Sequence, residues 1–402
     1  MRRVVVTGVG VLASIGNTVA QFEESLRACR SGIGPITQVD ISRLRFHNAA
    51  EIQGFEPTEH FSDLTWLDRF AQLGIVAARD AIADSGLIWD DALRARTGVI
   101  TGSCLGGIGT EDAYYFDFYH ENKSRFSPTA IPRIMSNAVA SHVAMEQKLT
   151  GASFTTSTAC SSANHAIGQA FWLIRQGTLD CALAGGSEAP IVPGHLKAWE
   201  GMRVVAPDTC RPFSKNRAGL ILGEGAAMLV LETLEHARAR RAKIYAELAG
   251  FGMSADAHHL TNPLAEGAAR AMNDALDDAG LSREQIDYVN AHGTGTPAND
   301  STETRALRQV FGSHAEKLAV SSTKSMHGHA LGAAGALEAA ATVLALRASF
   351  IPPTANFLER DPACDLDVVP NEARAAQIEA ALSNSFAFGG LNAVLAFRRV
   401  TE

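Results

Sequence analysis

Gly223-Glu224-Gly225-Ala226-Ala227-Met228-Leu229-Val230-Leu231 has an echo near the far end of the chain, in Gly389-Gly390-Leu391-Asn392-Ala393-Val394-Leu395-Ala396-Phe397. Each is a glycine turn followed by a short apolar run, the pattern of a buried strand entered from a tight bend. Upstream of each copy a polar strand end runs into a helix of small residues. Thr158-Ala159-Cys160 leads into Ser161–Ala170, and His327-Gly328-His329 leads into Ala330–Ala340. The repetition predicts two similar halves, residues 1–250 and 251–402, with both strand-to-helix junctions at one central site.

Outward from these segments, strands and helices alternate along the whole length. Short β-branched or apolar runs predict strands at Arg3–Thr7, Thr97–Thr101, Ala182–Ala184, Ala226–Leu231, Ile286–Asn290, Leu318–Ser321 and Ala393–Arg398. Helical periodicity marks Thr18–Arg30, Leu67–Ser85, Ser161–Arg175, Glu266–Ala279 and Thr302–Val310. Asn17 is placed to cap the first helix and Gly32 to end it. Such alternation predicts an α/β fold, a largely buried sheet layered between helices. No Pro-rich or Ser-rich linker divides the chain.

Composition narrows the class. Of 402 residues, 46% are hydrophobic and 19% charged, enough for a large core and wrong for disorder. The net charge of −8 and the lack of a basic run argue against nucleic acid. An acidic partner protein stays open, because a local basic patch could still serve. Six cysteines show no CxxC pair, which fits reduced thiols and a cytoplasmic protein. Met1-Arg2-Arg3 before Val4-Val5-Val6 looks superficially like a signal peptide, but Gly8 and Gly10 interrupt the apolar run. Ala330–Leu346 is the most apolar stretch, too short and too interrupted for a membrane span, and reads as a buried helix.

Four segments could carry chemistry. Cys160 lies between a short strand and a helix start, where the helix dipole favours thiolate. From that segment alone a nucleophile and a buried apolar thiol are equally good readings. His292 follows a strand end in Ala291-His292-Gly293-Thr294-Gly295-Thr296-Pro297, a polar glycine loop suited to proton or hydrogen-bond work. Lys324-Ser325-Met326-His327-Gly328-His329 sets a lysine and histidines before a helix. Asn384-Ser385-Phe386-Ala387-Phe388-Gly389-Gly390 could present backbone N–H groups to an oxyanion. No carboxylate or cysteine stands at ligand spacing from the histidine pairs 327/329 and 258/259, so no metal is expected. Gly8-Val9-Gly10-Val11-Leu12-Ala13 formally fits a dinucleotide fingerprint. It lacks the acidic residue at a second strand end, and a tight turn leaving the first strand is preferred.

Taken together and in this order, these segments resemble the elongating β-ketoacyl-acyl carrier protein synthases of the thiolase-like superfamily, from Val4 through Phe397. The matching blocks are Thr158-Ala159-Cys160 with His165, then His292 to Pro297 with Asp300 and Glu303. Lys324, Ser325, Gly328 and His329 match with Glu338, as do Arg211-Pro212-Phe213 and Gly223-Glu224-Gly225. The resemblance implies a five-layered αβαβα sandwich, with the nucleophile in the first half and both histidines in the second. It implies acyl transfer to Cys160, then decarboxylative condensation with a malonyl thioester held by His292 and His329. The N–H groups of Cys160 and Phe388 are implied as oxyanion donors, and Lys324 with Glu338 as an ordering pair. The alternative reading of that pair is a plain packing ion pair. By resemblance, Thr261, Thr294 and Thr296 bind the pantetheine arm, while Leu105 and Cys104 face the acyl chain. No resident cofactor is implied, since phosphopantetheine arrives on the acyl carrier protein. The family's usual state is a homodimer, and a heterodimer with a related subunit is the alternative.

The resemblance also makes Phe388 a gate to the acyl pocket, and the departures from the family pattern concern that gate and the carrier. Ala387 replaces a glycine, Leu391 a polar residue, Cys104 a residue commonly glycine, and Ser214 a frequent Asp. Phe61-Ser62-Asp63-Leu64-Thr65-Trp66 is not basic where relatives place carrier-docking cations. These departures raise a role in secondary metabolism as an alternative to bulk fatty acid synthesis, and the sequence leaves both open. Two other classes were weighed. A catalytically silent, chain-length-setting partner subunit would lack the nucleophile that Cys160 supplies. A nucleotide-dependent oxidoreductase would rest on the Gly8–Ala13 motif alone.

Overall fold

The computed structural model describes residues 1–400. Among them ten strands form one sheet. The first five are β1 (Val4–Ala13), β2 (Thr97–Gly102), β3 (Phe154–Thr156), β4 (Cys181–Glu188) and β5 (Gly225–Thr233). The second five are β6 (Ala246–Ala255), β7 (Tyr288–Asn290), β8 (Ala319–Ser321), β9 (Ala380–Ala387) and β10 (Leu391–Arg398). Their order across the sheet is β8-β7-β9-β10-β6-β1-β5-β4-β2-β3. Counted outward from the centre, the first set runs β1-β5-β4-β2-β3 and the second runs β6-β10-β9-β7-β8. The second half repeats the first strand for strand, and the two echoed segments become the equivalent strands β5 and β10. Within the sheet the two sets of strands meet where Val4–Val6 pair with Ala246–Leu248. Position 250 falls inside β6, so the second set of strands opens before the boundary placed from sequence.

Six helices complete the layers: α1 (Arg69–Ser85), α2 (Ala138–Gln147), α3 (Ser162–Arg175), α4 (Ala265–Ala279), α5 (Pro297–Phe311) and α6 (Ala334–Ala348). Helix α1 covers β1, β4 and β5, with α2 beside it. Helix α4 covers β6 and β10, with α5 beside it. Helices α3 and α6 pack on each other and on strands of both halves. Helix layer, half-sheet, helix pair, half-sheet, helix layer: five layers result. The apolar stretch Leu331–Ala348, long enough by composition to cross a membrane, is 89% buried at the centre of this sandwich. Burial from both sides explains an alanine-rich helix with no polar face.

The Gly8–Ala13 motif has a different meaning from either reading of it. Residues 8–13 are all strand, not turn. A Cβ on Gly8 would stand 2.2 Å from the Ala81 carbonyl oxygen, and one on Gly10 would stand 1.9 Å from that of Ala77. The glycines let β1 touch the backbone of α1, which covers the edge a phosphate would need. The second half does the same, with Gly250 2.5 Å from Ala275 O and Gly252 2.1 Å from Ala271 O by the same measure.

Three strands escaped the sequence. β3 has three residues, and β6 and β9 are rich in Ala, Gly, Ser and Asn, weak strand formers that burial on both faces nevertheless holds extended. Thr18, not Asn17, caps the first helix by accepting from Gln21 N, and that helix ends at Arg27, well before Gly32. Helix α5 begins at Pro297 rather than Thr302, capped by the Thr296 hydroxyl. The close strand-to-helix approach makes a direct prediction. Gly10→Ala should lower stability by about 3 kcal/mol, the upper part of the overpacking range, as a shift in the denaturant midpoint at unchanged slope.

Candidate active site

Three chain reversals aim side chains at one point. After β3, Ala159 adopts a left-handed φ of 51°, which turns the chain so that Cys160 stands just before α3. After β7, the loop from Ala291 to Thr296 carries His292. After β8, a single helical turn, Lys324–His327, precedes His329 and α6. Cys160, His292, His329 and Phe388 line one cavity of about 330 Å³, and Thr261, Thr294 and Thr296 line it too. The resemblance-based set therefore converges, drawn from four distant stretches.

The histidine pair is fixed by its neighbours. The rings of His292 and His329 are 5.5 Å apart between centroids and nearly perpendicular, at 83°. Lys324 is fully buried and spends all three donors. It pairs with Glu338, donates to His292 O at 2.7 Å, and reaches His292 Nδ1 at 3.3 Å. Leu331, in a left-handed φ of 45°, donates its N–H to His329 Nδ1 at 3.1 Å. In both rings Nδ1 accepts, so the proton sits on Nε2 of each neutral imidazole. Burial first, and the Lys324 charge second, hold both pKa values well below the usual histidine range. The site thus offers two uncharged N–H donors at neutral pH.

Cys160 behaves differently from the sequence expectation. Burial pushes its thiol up to about 11, outweighing the Lys324 charge and the N–H groups of Phe388 and Cys160 that act in the opposite sense. The helix start alone does not make a resting thiolate, because the sulfur has lost its water. The two N–H groups aimed at the sulfur are nevertheless those an acyl oxygen would meet there. Thr158 Oγ1 lies 2.9 Å from His165 Nδ1 and ties the turn to α3.

Outside the cavity stand the groups that hold its walls. Glu303 accepts from His292 N at 2.9 Å and Gly293 N at 2.8 Å. Asp300 accepts from Phe213 N at 2.7 Å and Gly295 N at 3.2 Å. Thr294 and Thr296 share a 2.8 Å hydroxyl contact. Cys104 and Leu105 do not line the cavity; they pack in an apolar cluster with Leu196 and Leu331, with Trp199 on the same cluster. Ala387 has no positive φ and ends β9 opposite Leu391, so its methyl group strains nothing.

Sequence reading missed Glu188 and Trp199. Glu188, fully buried at the end of β4, accepts from Ser103 Oγ at 2.9 Å, Cys104 N at 2.8 Å, Leu105 N at 3.2 Å and Gly332 N at 3.1 Å. It ties the 103–105 loop to the start of α6. Trp199 lines the cavity and stacks on Phe388. Neither residue lies in a recognisable motif, and only tertiary placement reveals them.

The buried thiol predicts a pH profile. Alkylation of Cys160 by iodoacetamide, followed by intact mass, should quicken about tenfold per pH unit from neutrality toward pH 10 without a plateau. A plateau near neutral pH would mean a thiolate already formed in the resting protein.

Comparison with known proteins agrees with the geometry. The model of the β-ketoacyl synthase N-terminal domain matches residues 1–237, and that of the C-terminal domain matches residues 245–358. The chain is 50% identical to a nodulation protein E of Rhizobium over 99% of its length and 100% of the relative's. It is 44% identical to the 3-oxoacyl-[acyl-carrier-protein] synthase 2 of Coxiella burnetii, over 100% of this chain and 99% of the relative. Among solved structures, the ishigamide ketosynthase/chain length factor superposes with a TM-score of 0.94 at 41% identity, covering 100% of both chains. A type II polyketide ketosynthase in complex with its acyl-carrier protein gives 0.91 at 31% identity, again over 100% of both. In sequence and in fold, this chain belongs to the β-ketoacyl synthase family.

Proposed function

We propose that the chain condenses malonyl-acyl carrier protein with an acyl group held as a thioester on Cys160, extending the chain by two carbons with loss of carbon dioxide. In the first step the Cys160 sulfur attacks the thioester carbonyl of the acyl carrier. A carbon–sulfur bond forms, the carrier thiolate leaves, and it takes up the proton that Cys160 loses. The tetrahedral oxygen is received by the N–H groups of Cys160 and Phe388. The malonyl thioester then binds with its pantetheine arm along Thr261, Thr294 and Thr296. Its thioester oxygen accepts from Nε2–H of His292 and of His329. As the carboxylate leaves as carbon dioxide, the electron pair passes into the enolate, whose charge those two donors meet. The enolate carbon attacks the acyl-Cys carbonyl, and collapse expels the Cys160 sulfur, which recovers a proton.

The observation that carries this reading is that two imidazoles, each with its Nδ1 engaged and its Nε2 left to donate, line one cavity with the Cys160 sulfur. A charged imidazolium would bind the malonyl carboxylate and hold back its departure, whereas two uncharged donors favour the enolate over the ground state. None of these steps calls for a resident cofactor. The presence of Cys160 speaks against a silent chain-length-setting subunit. The partners are acyl- and malonyl-loaded carrier proteins, and a second ketosynthase-like subunit, either a copy of this chain or a related one. The reaction sequence suits a cytoplasmic enzyme.

A specialised acyl product is favoured over bulk fatty acid synthesis. Relatives named for nodulation reach 50% identity, against 44% for a relative named as a 3-oxoacyl synthase. The non-basic segment Phe61–Trp66 supports a dedicated carrier as well.

Incubation with an acyl carrier thioester should add one acyl mass to the protein. Loss of the adduct in Cys160→Ala is expected, and an adduct that survives would contradict the assignment. In Cys160→Gln, malonyl-carrier decarboxylation should persist. Replacing His292 or His329 by Ala in that background should slow it about a hundredfold or more.

A further inference from the structure

Phe388 lines the cavity with Cys160 and is itself 37% exposed. Its backbone is held by Gly389 N donating to Leu260 O at 2.7 Å and by Gly390 N donating to Ala387 O at 3.0 Å. Gly389 and Gly390 both take left-handed φ values, 84° and 68°, so the turn can pivot where other residues could not. The phenyl ring itself has one aromatic neighbour, Trp199, at 6.1 Å between centroids and 26° between planes. Trp199 lies in the helix Pro193–Met202, which buries only Leu196. Its indole N–H donates to His195 Nε2 at 2.7 Å, one helical turn back, with the two rings edge-to-face at 76°. Trp199 therefore meets both Phe388 and the apolar cluster on which Cys104 and Leu105 also pack. Those two residues are shut out of the cavity that Phe388 and Trp199 both line.

We infer that His195 and Trp199 form a latch that holds Phe388 in its closed position, so that the gate to the acyl pocket is Phe388 stacked on a Trp199 braced edge-to-face by His195, and His195 is a specificity-determining positioning residue. The latch rests on the condensing reaction proposed above and goes beyond it. Short acyl chains fit in front of the stack, while long ones need Phe388 and Trp199 displaced toward Leu105. The His195–Trp199 bond opposes that displacement. Burial lowers His195 to about 4, which leaves Nε2 free to accept at neutral pH. A histidine four residues before a tryptophan also gives the bond a fixed length along the helix.

The test compares transfer of butanoyl and dodecanoyl groups from carrier protein to Cys160 by intact mass, in wild type, His195→Leu and His195→Gln. Leucine removes the acceptor, and glutamine restores one. His195→Leu should raise the long-to-short ratio about fivefold, the worth of one hydrogen bond, while His195→Gln stays near the wild-type ratio. A ratio unchanged in His195→Leu, or shifted equally in both variants, would overturn the latch. Absence of any adduct on the wild-type protein would instead overturn the condensing reaction itself, so the two failures are distinct.

Discussion

A buried lysine with every donor used sets the chemistry of this molecule. Lys324 is surrounded by Glu338, the carbonyl of His292 and Nδ1 of the same ring, none of them open to solvent. An ammonium group without those partners would be intolerable at such depth. With them, it fixes the tautomer of His292, adds its positive charge to the burial that keeps both histidines neutral, and pulls back against the burial that pushes Glu338 up. The plain ion-pair reading is too small for it, since the same lysine also touches the His292 ring directly.

The fold exists to bring that lysine, a thiol and two imidazoles to one place. Two equivalent half-sheets enclose α3 and α6, and the equivalent junctions before those helices carry Cys160 and His329. Close packing at the glycines of β1 and β6 brings the outer helices onto the sheet in both halves. Local strain appears at the same junctions, in Ala159 and Leu331, which hold left-handed backbone conformations without being glycine. Each such residue delivers a group to the site, the Cys160 side chain in one case and the N–H on His329 Nδ1 in the other.

Much of this was readable from residues. The repeated glycine-plus-apolar segments announced two halves, because a buried strand entered from a turn leaves a strong local signature. The motifs around Cys160, His292 and Lys324 named the residues that the fold gathers. What escaped had no local signal. β6 and β9 are built of weak strand formers kept extended by their surroundings, and the β1 glycines looked like a turn because their true partner, the backbone of α1, is distant in sequence. The thiol's protonation was misjudged for a related reason. A helix start can be seen in sequence, but the burial that outweighs it cannot. Glu188, His195 and Trp199 matter only through contacts across the fold, so spacing along the chain could not single them out.

Burial, helped by the Lys324 charge, keeps the imidazoles of His292 and His329 neutral, and the contacts of Lys324 and Leu331 with the two Nδ1 atoms put each proton on Nε2. Nitrogen-15 NMR of imidazole-labelled protein reads charge and tautomer together, with signals assigned through His292→Asn and His329→Asn. Both rings should show the Nε2–H tautomer and remain uncharged from pH 8 down to pH 5.5, well below about 6.5 where a free histidine gains its proton. Protonation of either ring near that ordinary value, or a proton found on Nδ1, would contradict the account.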